Sequence, residues 1–328
     1  MRSLERLKSV VVLSAFVVFA LGCGGSGPQT EAPVEAQRVE LTQLPDTLVT
    51  TEWLAEHLDD DDLVVLDCTV KVGQDENGEL VVENGRPGYE AGHIPGAGFA
   101  DLMGELADLD SPHDYAVPTP ENFAAAMSAL GVGDETRVVL YDAGMSAWAA
   151  RVWWMLRWVG FDRAAVLDGG LRAWQAEGRP LSTEPSQEPS RVLTSRPRLE
   201  LIADHDEVFA AIEDESVRLI DVMPEAHYRG EMAMYGRAGH IPSAENVSVM
   251  QLLDESGRYR STDELGALFA TDPGVRTITY CGGGIAASST AFVMTRLGYD
   301  DVAVYTASLQ EWAADPDLPM ETGDPGAL

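Results

Sequence analysis

Cysteine is scarce. The 328 residues contain three, and Cys23 lies in an N-terminal segment set apart by its composition, so only Cys68 and Cys281 remain for the body of the chain. No disulfide framework supports the fold. Positive charge is also thin: 22 Lys and Arg face 54 Asp and Glu, for a net charge near −32. Nucleic acid and anionic membrane surfaces would be repelled, which argues against them as partners, and the acidity reads as a heavily solvated surface. The apolar run Val10 to Leu21 is too short to span a bilayer comfortably. What the chain does have is length for two domains and 45% hydrophobic residues, enough for real cores.

Arg2, Arg6 and Lys8 precede the apolar run, and Gly22-Cys23-Gly24 follows it. Residues 1–23 therefore read as a signal peptide. Ala20-Leu21-Gly22-Cys23 resembles a bacterial lipobox with the Leu-Ala order reversed, so lipidation of Cys23 is expected, with an uncleaved anchor or ordinary cleavage as the alternatives. Residues 24–47, rich in Gly, Pro, Gln and Glu, read as a disordered tether. On this reading the protein is exported and held at the cell envelope by lipid.

From Leu48 onward helical and strand patterns alternate. Thr51 to His57 predicts a helix capped by Thr50 or Thr51, and Leu63 to Asp67 a short buried strand. Val72 to Pro87 reads as a polar hairpin or excursion. Pro120 to Leu130 predicts a helix capped by Thr119, Thr136 to Tyr141 a strand, Ala147 to Val159 a long helix and Ala164 to Leu167 another strand. The second half repeats this unit. Val217 to Asp221 matches the strand ending at Asp67, Ala238-Gly239-His240-Ile241-Pro242 matches Ala91-Gly92-His93-Ile94-Pro95, and Thr277 to Cys281 matches Val138 to Asp142. The spacing places one unit over residues 48–180, a linker over 181–199, a second unit over 200–315 and a tail over 316–328. Each unit is expected to be α/β, a mainly parallel sheet with helices on both faces, with ligands beyond the carboxyl ends of the strands.

Cys281 stands at such an end. A β-branched run from Val275 to Tyr280 leads into Cys281-Gly282-Gly283-Gly284, and Ala286 to Leu297 predicts an amphipathic helix. Glycines let a loop turn successive N–H groups inward, and a helix start adds the positive end of its dipole, a setting that favours thiolate. The alternative is a buried, inert cysteine beside a glycine turn.

Together, Ala91 to Ala97, Ala150-Arg151-Val152-Trp153-Trp154, Asp168-Gly169-Gly170-Leu171, Ala238 to Pro242 and the Cys281 loop make the chain resemble, from about Leu48 to Trp312, a tandem-domain rhodanese of the thiosulfate and 3-mercaptopyruvate sulfurtransferases. The resemblance implies a catalytic second unit and an inactive first one, where Asp142 stands in place of the cysteine. It implies that Cys281 takes sulfane sulfur from a small anionic donor as a persulfide and yields it to cyanide or a thiol. Amides from Gly282, Gly283, Gly284, Ile285 and Ala286 would steady that sulfur. No metal and no organic cofactor is required, and a monomer is expected.

Substrate choice is less determined. Relatives acting on thiosulfate tend to carry positive side chains in this loop, and those acting on 3-mercaptopyruvate tend to have Gly-Ser-Gly after the cysteine. Here the three glycines offer neither, Ala286 replaces a usual Thr or Ser, and Met223 stands where an arginine is usual. Arg229 is the best remaining anion holder and Arg237 a weaker second, each otherwise a surface arginine among carboxylates. His93 and His240 are expected to bond backbone at turns, and Trp148, Trp153, Trp154 and Trp158 to pack the core or the domain seam. Cys68 is expected to be a buried small hydrophobe, or else a resolving thiol for the persulfide. Two other functions compete. A phosphatase on this scaffold would need an arginine six residues after the cysteine, where Ala287 stands, and a non-catalytic sulfur-binding or partner-binding module would explain Met223 and the neutral loop.

Overall fold

The computed structural model describes residues 43–76, 80–269 and 272–323. The expected signal peptide, Cys23 and nearly all of the tether lie outside the described residues. The first half runs β1 (Leu48–Val49), α1 (Thr51–His57), β2 (Leu63–Asp67), a hairpin of β3 (Val70–Gln74) and β4 (Leu80–Asn84), α2 (Arg86–Ala91), β5 (Gly98–Phe99), α3 (Pro120–Ala129), β6 (Arg137–Tyr141), α4 (Ala147–Trp158), β7 (Ala164–Leu167) and α5 (Gly170–Ala176). The second runs β8 (Ile202–Ala203), α6 (His205–Ala211), β9 (Val217–Asp221), α7 (Glu225–Tyr228), β10 (Glu245–Asn246), α8 (Thr262–Leu268), β11 (Arg276–Tyr280), α9 (Ile285–Arg296), β12 (Val302–Tyr305) and α10 (Ser308–Trp312).

The repeat read in the sequence is a repeat of topology. One sheet has the order β1-β7-β6-β2-β5, and the other, read from the same side, β8-β12-β11-β9-β10. All pairings in both sheets are parallel, as strands joined by helical crossovers must be. The caps are those the sequence marks: Thr50 accepts from the Trp53 N–H and Thr119 from the Asn122 N–H.

At the carboxyl end of each sheet an acid faces a tyrosine. Asp67 is opposite Tyr141, and Asp221 opposite Tyr280. Each tyrosine hydroxyl accepts the N–H of the isoleucine in its His-Ile-Pro turn, Ile94 or Ile241. The histidines bond backbone as expected. His93 Nδ1 lies 2.7 Å from Tyr89 O and His240 Nδ1 2.7 Å from Tyr228 O, each ring stacked on that tyrosine. These turns fix where the chain leaves each sheet.

The two sheets share a seam built by α4 and α9. The expectation of an amphipathic α9 is corrected: Ala287 to Met294 are buried without a break, and α4 is buried along nearly its whole length. Each helix packs on its own sheet with one face and on the other helix with the opposite face, so neither keeps a polar side. Trp153 meets Phe292 edge-on across the seam, ring centres 4.8 Å apart, which fits the packing role expected of the tryptophans.

The linker is a strap along the first domain. Ser182 pairs with His93, the Arg191 N–H donates to Ser128 O, Leu193 is buried, and the Arg196 and Arg198 N–H groups donate to Val159 O and Trp158 O. Among the described residues no helix is long and apolar enough to cross a membrane.

Candidate active site

Cys281 follows β11 directly, and its neighbours hold the loop against the start of α10. The Cys281 N–H donates to Ser308 Oγ at 3.1 Å, while Cys281 O and Gly282 O accept the Leu309 and Gln310 N–H groups at 3.0 Å each. Gly284 caps α9 at φ +80°, a conformation costly for any side-chain-bearing residue. Its N–H, turned inward by that conformation, donates to Cys281 Sγ at 3.1 Å.

The first domain shows what such a loop holds. Asp142 Oδ1 accepts N–H bonds from Gly144, Met145 and Ser146 at 2.9–3.0 Å, and Oδ2 accepts from Trp148 and Ala149 at 3.0 and 3.2 Å. This is an anion cradle filled by the protein's own carboxylate. Ser146, at φ 53°, caps α4 as Gly284 caps α9. Counted from those caps, the amides of Ser146, Trp148 and Ala149 correspond to those of Gly284, Ala286 and Ala287. The Cys281 loop is one residue shorter, from Cys281 to its cap. A carboxylate oxygen lies two bonds from Cβ, the reach of the outer sulfur of a cysteine persulfide.

Each domain covers the other's loop. Asp114 of the first domain lies over the Cys281 loop, its carbonyl 3.7 Å from where a Cβ on Gly283 would stand, and Tyr115 follows it in the chain. Gln310 clamps that cover by accepting the Asp114 N–H at 2.8 Å and donating to Asp114 O at 3.3 Å. In return the Tyr259 N–H of the second domain donates to Asp168 Oδ1 at 2.9 Å, and Gly257 lies over Gly144. Tyr235 closes the remaining side above Gly282, where a Cβ would overlap its hydroxyl. Burial, reinforced by the negative charge at Cys281, Tyr115 and Asp114, pushes the Tyr235 phenol up to about 12. Burial beside Asp114 pushes Tyr115 to about 12 as well. Cys281 is left 3% exposed. A cavity of about 830 Å³ lies instead at the first domain's Asp142 loop, under β3 and β4.

Cys281, Gly282, Gly283, Gly284, Ile285 and Ala286 therefore form one loop and helix start. The other named residues lie elsewhere. Met223 is buried just beyond β9, its N–H donating to Asp221 Oδ1 at 2.7 Å. Arg229 ends α7, paired with Glu225 at 2.6 Å. Arg237 donates to four main-chain carbonyls, those of Trp312, Ala313, Asp315 and Leu318, at 2.6–3.0 Å, so most of its fork is spent fastening the segment after α10. Cys68 is fully buried in the first domain, its thiol pushed well up by burial and by the charges of Asp67 and Asp142. A thiol held protonated there is a core residue, and the resolving role is not supported. Among the described residues no cluster of three or more His, Cys, Asp or Glu is placed to hold a metal ion.

The sequence reading missed Tyr235 and Tyr115, which come from loops without pattern, Gln310 on the short helix α10, and the role of Arg151. Arg151 carried a signal: a charged residue in the middle of a helix whose other residues, Arg157 near its end apart, are all apolar.

A profile described as "Rhodanese-like domain" matches residues 50–177 and 204–315. The chain is 33% identical over 279 residues to a 3-mercaptopyruvate sulfurtransferase of Escherichia coli strain K12, covering 83% of this chain and 97% of the relative. It is 32% identical over 295 residues to a thiosulfate sulfurtransferase of Cricetulus griseus, covering 85% and 96%. Among solved structures it is similar to that of SseA from Escherichia coli, a 3-mercaptopyruvate sulfotransferase, with TM-score 0.71 and 32% identity over 80% of this chain and 98% of the other. With both sheets, the shared topology and the cysteine loop in place, the chain belongs to the rhodanese family and carries two tandem copies of its domain.

Proposed function

We propose that the protein is a sulfurtransferase in which Cys281 carries the transferred sulfur. The Cys281 thiolate attacks the outer sulfur of thiosulfate, the S–S bond of the donor breaks, and sulfite leaves with the electron pair. With 3-mercaptopyruvate the C–S bond breaks instead, and the carbon left behind takes a proton to give pyruvate. An acceptor, cyanide or a thiolate, then attacks the outer sulfur of the persulfide, and Cys281 departs as thiolate.

The observation that carries this reading is the inward Gly284 N–H on Cys281 Sγ, in a loop whose first-domain counterpart cradles a full negative charge with five N–H groups. Peptide dipoles already oriented toward an anion need no rearrangement when charge moves onto the sulfur.

Arg229 is the side chain proposed to meet the anionic donor, since it is part-exposed where Arg237 is tied to carbonyls. The segment ahead of the described residues is proposed to export the protein and anchor it by lipid at Cys23. Alkyne-palmitate labelling, lost in Cys23→Ser, tests the anchor.

Mass spectrometry tests the central claim. After incubation with thiosulfate or with 3-mercaptopyruvate, the peptide bearing Cys281 gains one sulfur atom, which cyanide removes. Cys281→Ala gains none. A protein that acquires no sulfur at Cys281 from either donor is not this enzyme.

A further inference from the structure

The side chain that stands out beyond the loop is Arg151. It projects from α4 of the inactive domain, is fully buried, and reaches across the seam into the catalytic loop. Nη1 lies 3.4 Å from Gly284 O and 3.2 Å from Ser288 Oγ, and Nη2 donates to Tyr115 O at 3.0 Å. Nε has no acceptor, and the guanidinium lies 5.1 Å from the centre of the Trp154 ring. Among the described residues Cys281 is the charged group that acts on it, and no carboxylate does. A buried cation with only neutral partners is costly, and cores keep one where an anion is also present.

The group that Gly284 joins to Arg151 is the sulfur of Cys281. Gly284 is gripped at both ends: its carbonyl receives Arg151 and the Ser288 hydroxyl, at 3.4 and 2.8 Å, and its N–H serves the sulfur at 3.1 Å. Burial lowers the guanidinium to about 10, and the charge at Cys281 works against that fall, so Arg151 is a cation at neutral pH. Tyr235 is the other ionisable group coupled to Cys281, and Tyr115 and Asp114 in turn act on Tyr235. Both phenols are pushed toward their neutral forms, and Asp114 can only repel.

The related position makes the arrangement one-sided. Counted from the helix caps, Arg151 on α4 corresponds to Ser289 on α9, whose hydroxyl lies 3.4 Å from that of Tyr259. The Asp142 loop, with five amides on its carboxylate, receives no cation from the opposite helix. The Cys281 loop does.

We propose that Arg151, supplied by the inactive domain, is the positioning residue of the active site: it fixes Gly284 and provides the countercharge that holds anionic sulfur on Cys281. This rests on the sulfur-transfer reading, but its test does not need turnover. Cys281 in the full chain is alkylated with iodoacetate, an anion, and with iodoacetamide, a neutral reagent of nearly the same size, and each rate is read by mass spectrometry. In wild type, iodoacetate is favoured relative to its ratio on a free peptide spanning the loop. In Arg151→Met that ratio falls about tenfold, and Arg151→Lys restores it to within about threefold. Loosened packing would change both reagents alike, so the ratio isolates charge.

A wild-type ratio no higher than that of the peptide overturns the proposal even if Arg151→Met fails to fold. So does an unchanged ratio in a folded Arg151→Met. A wild type that shows the charge-dependent ratio yet takes up no sulfur leaves Arg151 in place and removes the sulfur-transfer reading instead.

Discussion

The Tyr235 hydroxyl occupies the space where a side chain on Gly282 would begin. The glycine after Cys281 is therefore required by the lid above it, and a donor must displace that lid to reach a thiol only 3% exposed. Gly282→Ala should lower kcat/KM at least about tenfold and destabilise by roughly 1–3 kcal/mol, the usual cost of overpacking. Tyr235→Ala should relieve both effects. Kinetics and urea unfolding of the two single variants and the double variant form the cycle, and equal costs of Gly282→Ala in both backgrounds would show that Tyr235 is not the obstacle.

Asp142 gathers five N–H groups at the start of the helix that carries Arg151. Asp142→Ala leaves those donors facing a void and should cost about 3 kcal/mol, with Asp142→Asn, which keeps one acceptor oxygen, losing less. Both should slow sulfur loading of Cys281 although the substitution is in the other domain. Normal loading in Asp142→Ala would mean that α4 does not depend on this cradle for its position.

Burial pushes Asp221 up to about 7, against the pull of the Met223 N–H and the Tyr280 hydroxyl. An unfolded aspartate titrates near 3.9. Between about pH 4 and pH 7 the folded protein keeps a proton here that the unfolded chain has lost, so stability falls as pH rises, by up to about 1.4 kcal/mol per unit, and the loss is complete above the folded value. Asp221→Asn removes this slope. Unfolding free energies of wild type and variant should diverge across that window and run parallel above it; parallel curves throughout would place the proton elsewhere.

The two arginines named for anion binding should separate. Arg237→Ala frees the carbonyls of Trp312, Ala313, Asp315 and Leu318 and should cost about 1–3 kcal/mol with KM within about twofold of wild type. Arg229→Ala should raise KM for thiosulfate about tenfold with little change in melting temperature. Steady-state kinetics and thermal melts decide, and an unchanged KM in Arg229→Ala would remove it from the donor's path.

Local chemistry was legible in the sequence. Thr50 and Thr119 marked their helices, the strands ending at Asp67, Tyr141 and Asp221 fell where β-branched runs met polar residues, and Cys281 stood at a strand end before a glycine turn. What could not be read depends on two domains meeting. Periodicity assumes that a helix has one wet face, and α9 lost its wet face to α4. Arg151 and Ser288 lie 137 positions apart in the chain, so no local pattern joins them, and Tyr235 from a turn and Gln310 from α10 meet Gly282 and Gly283 only through the packing of distant segments.

The crossed covering of the loops bears on how such a chain can evolve. A repeated copy that carries Asp142 where its sibling has Cys281 would ordinarily be free to diverge. Here its helix and its overhanging turn are parts of the surroundings of its sibling's cysteine loop. Deleting it would unmake the surviving centre, so the pair is inherited as one indivisible gene product.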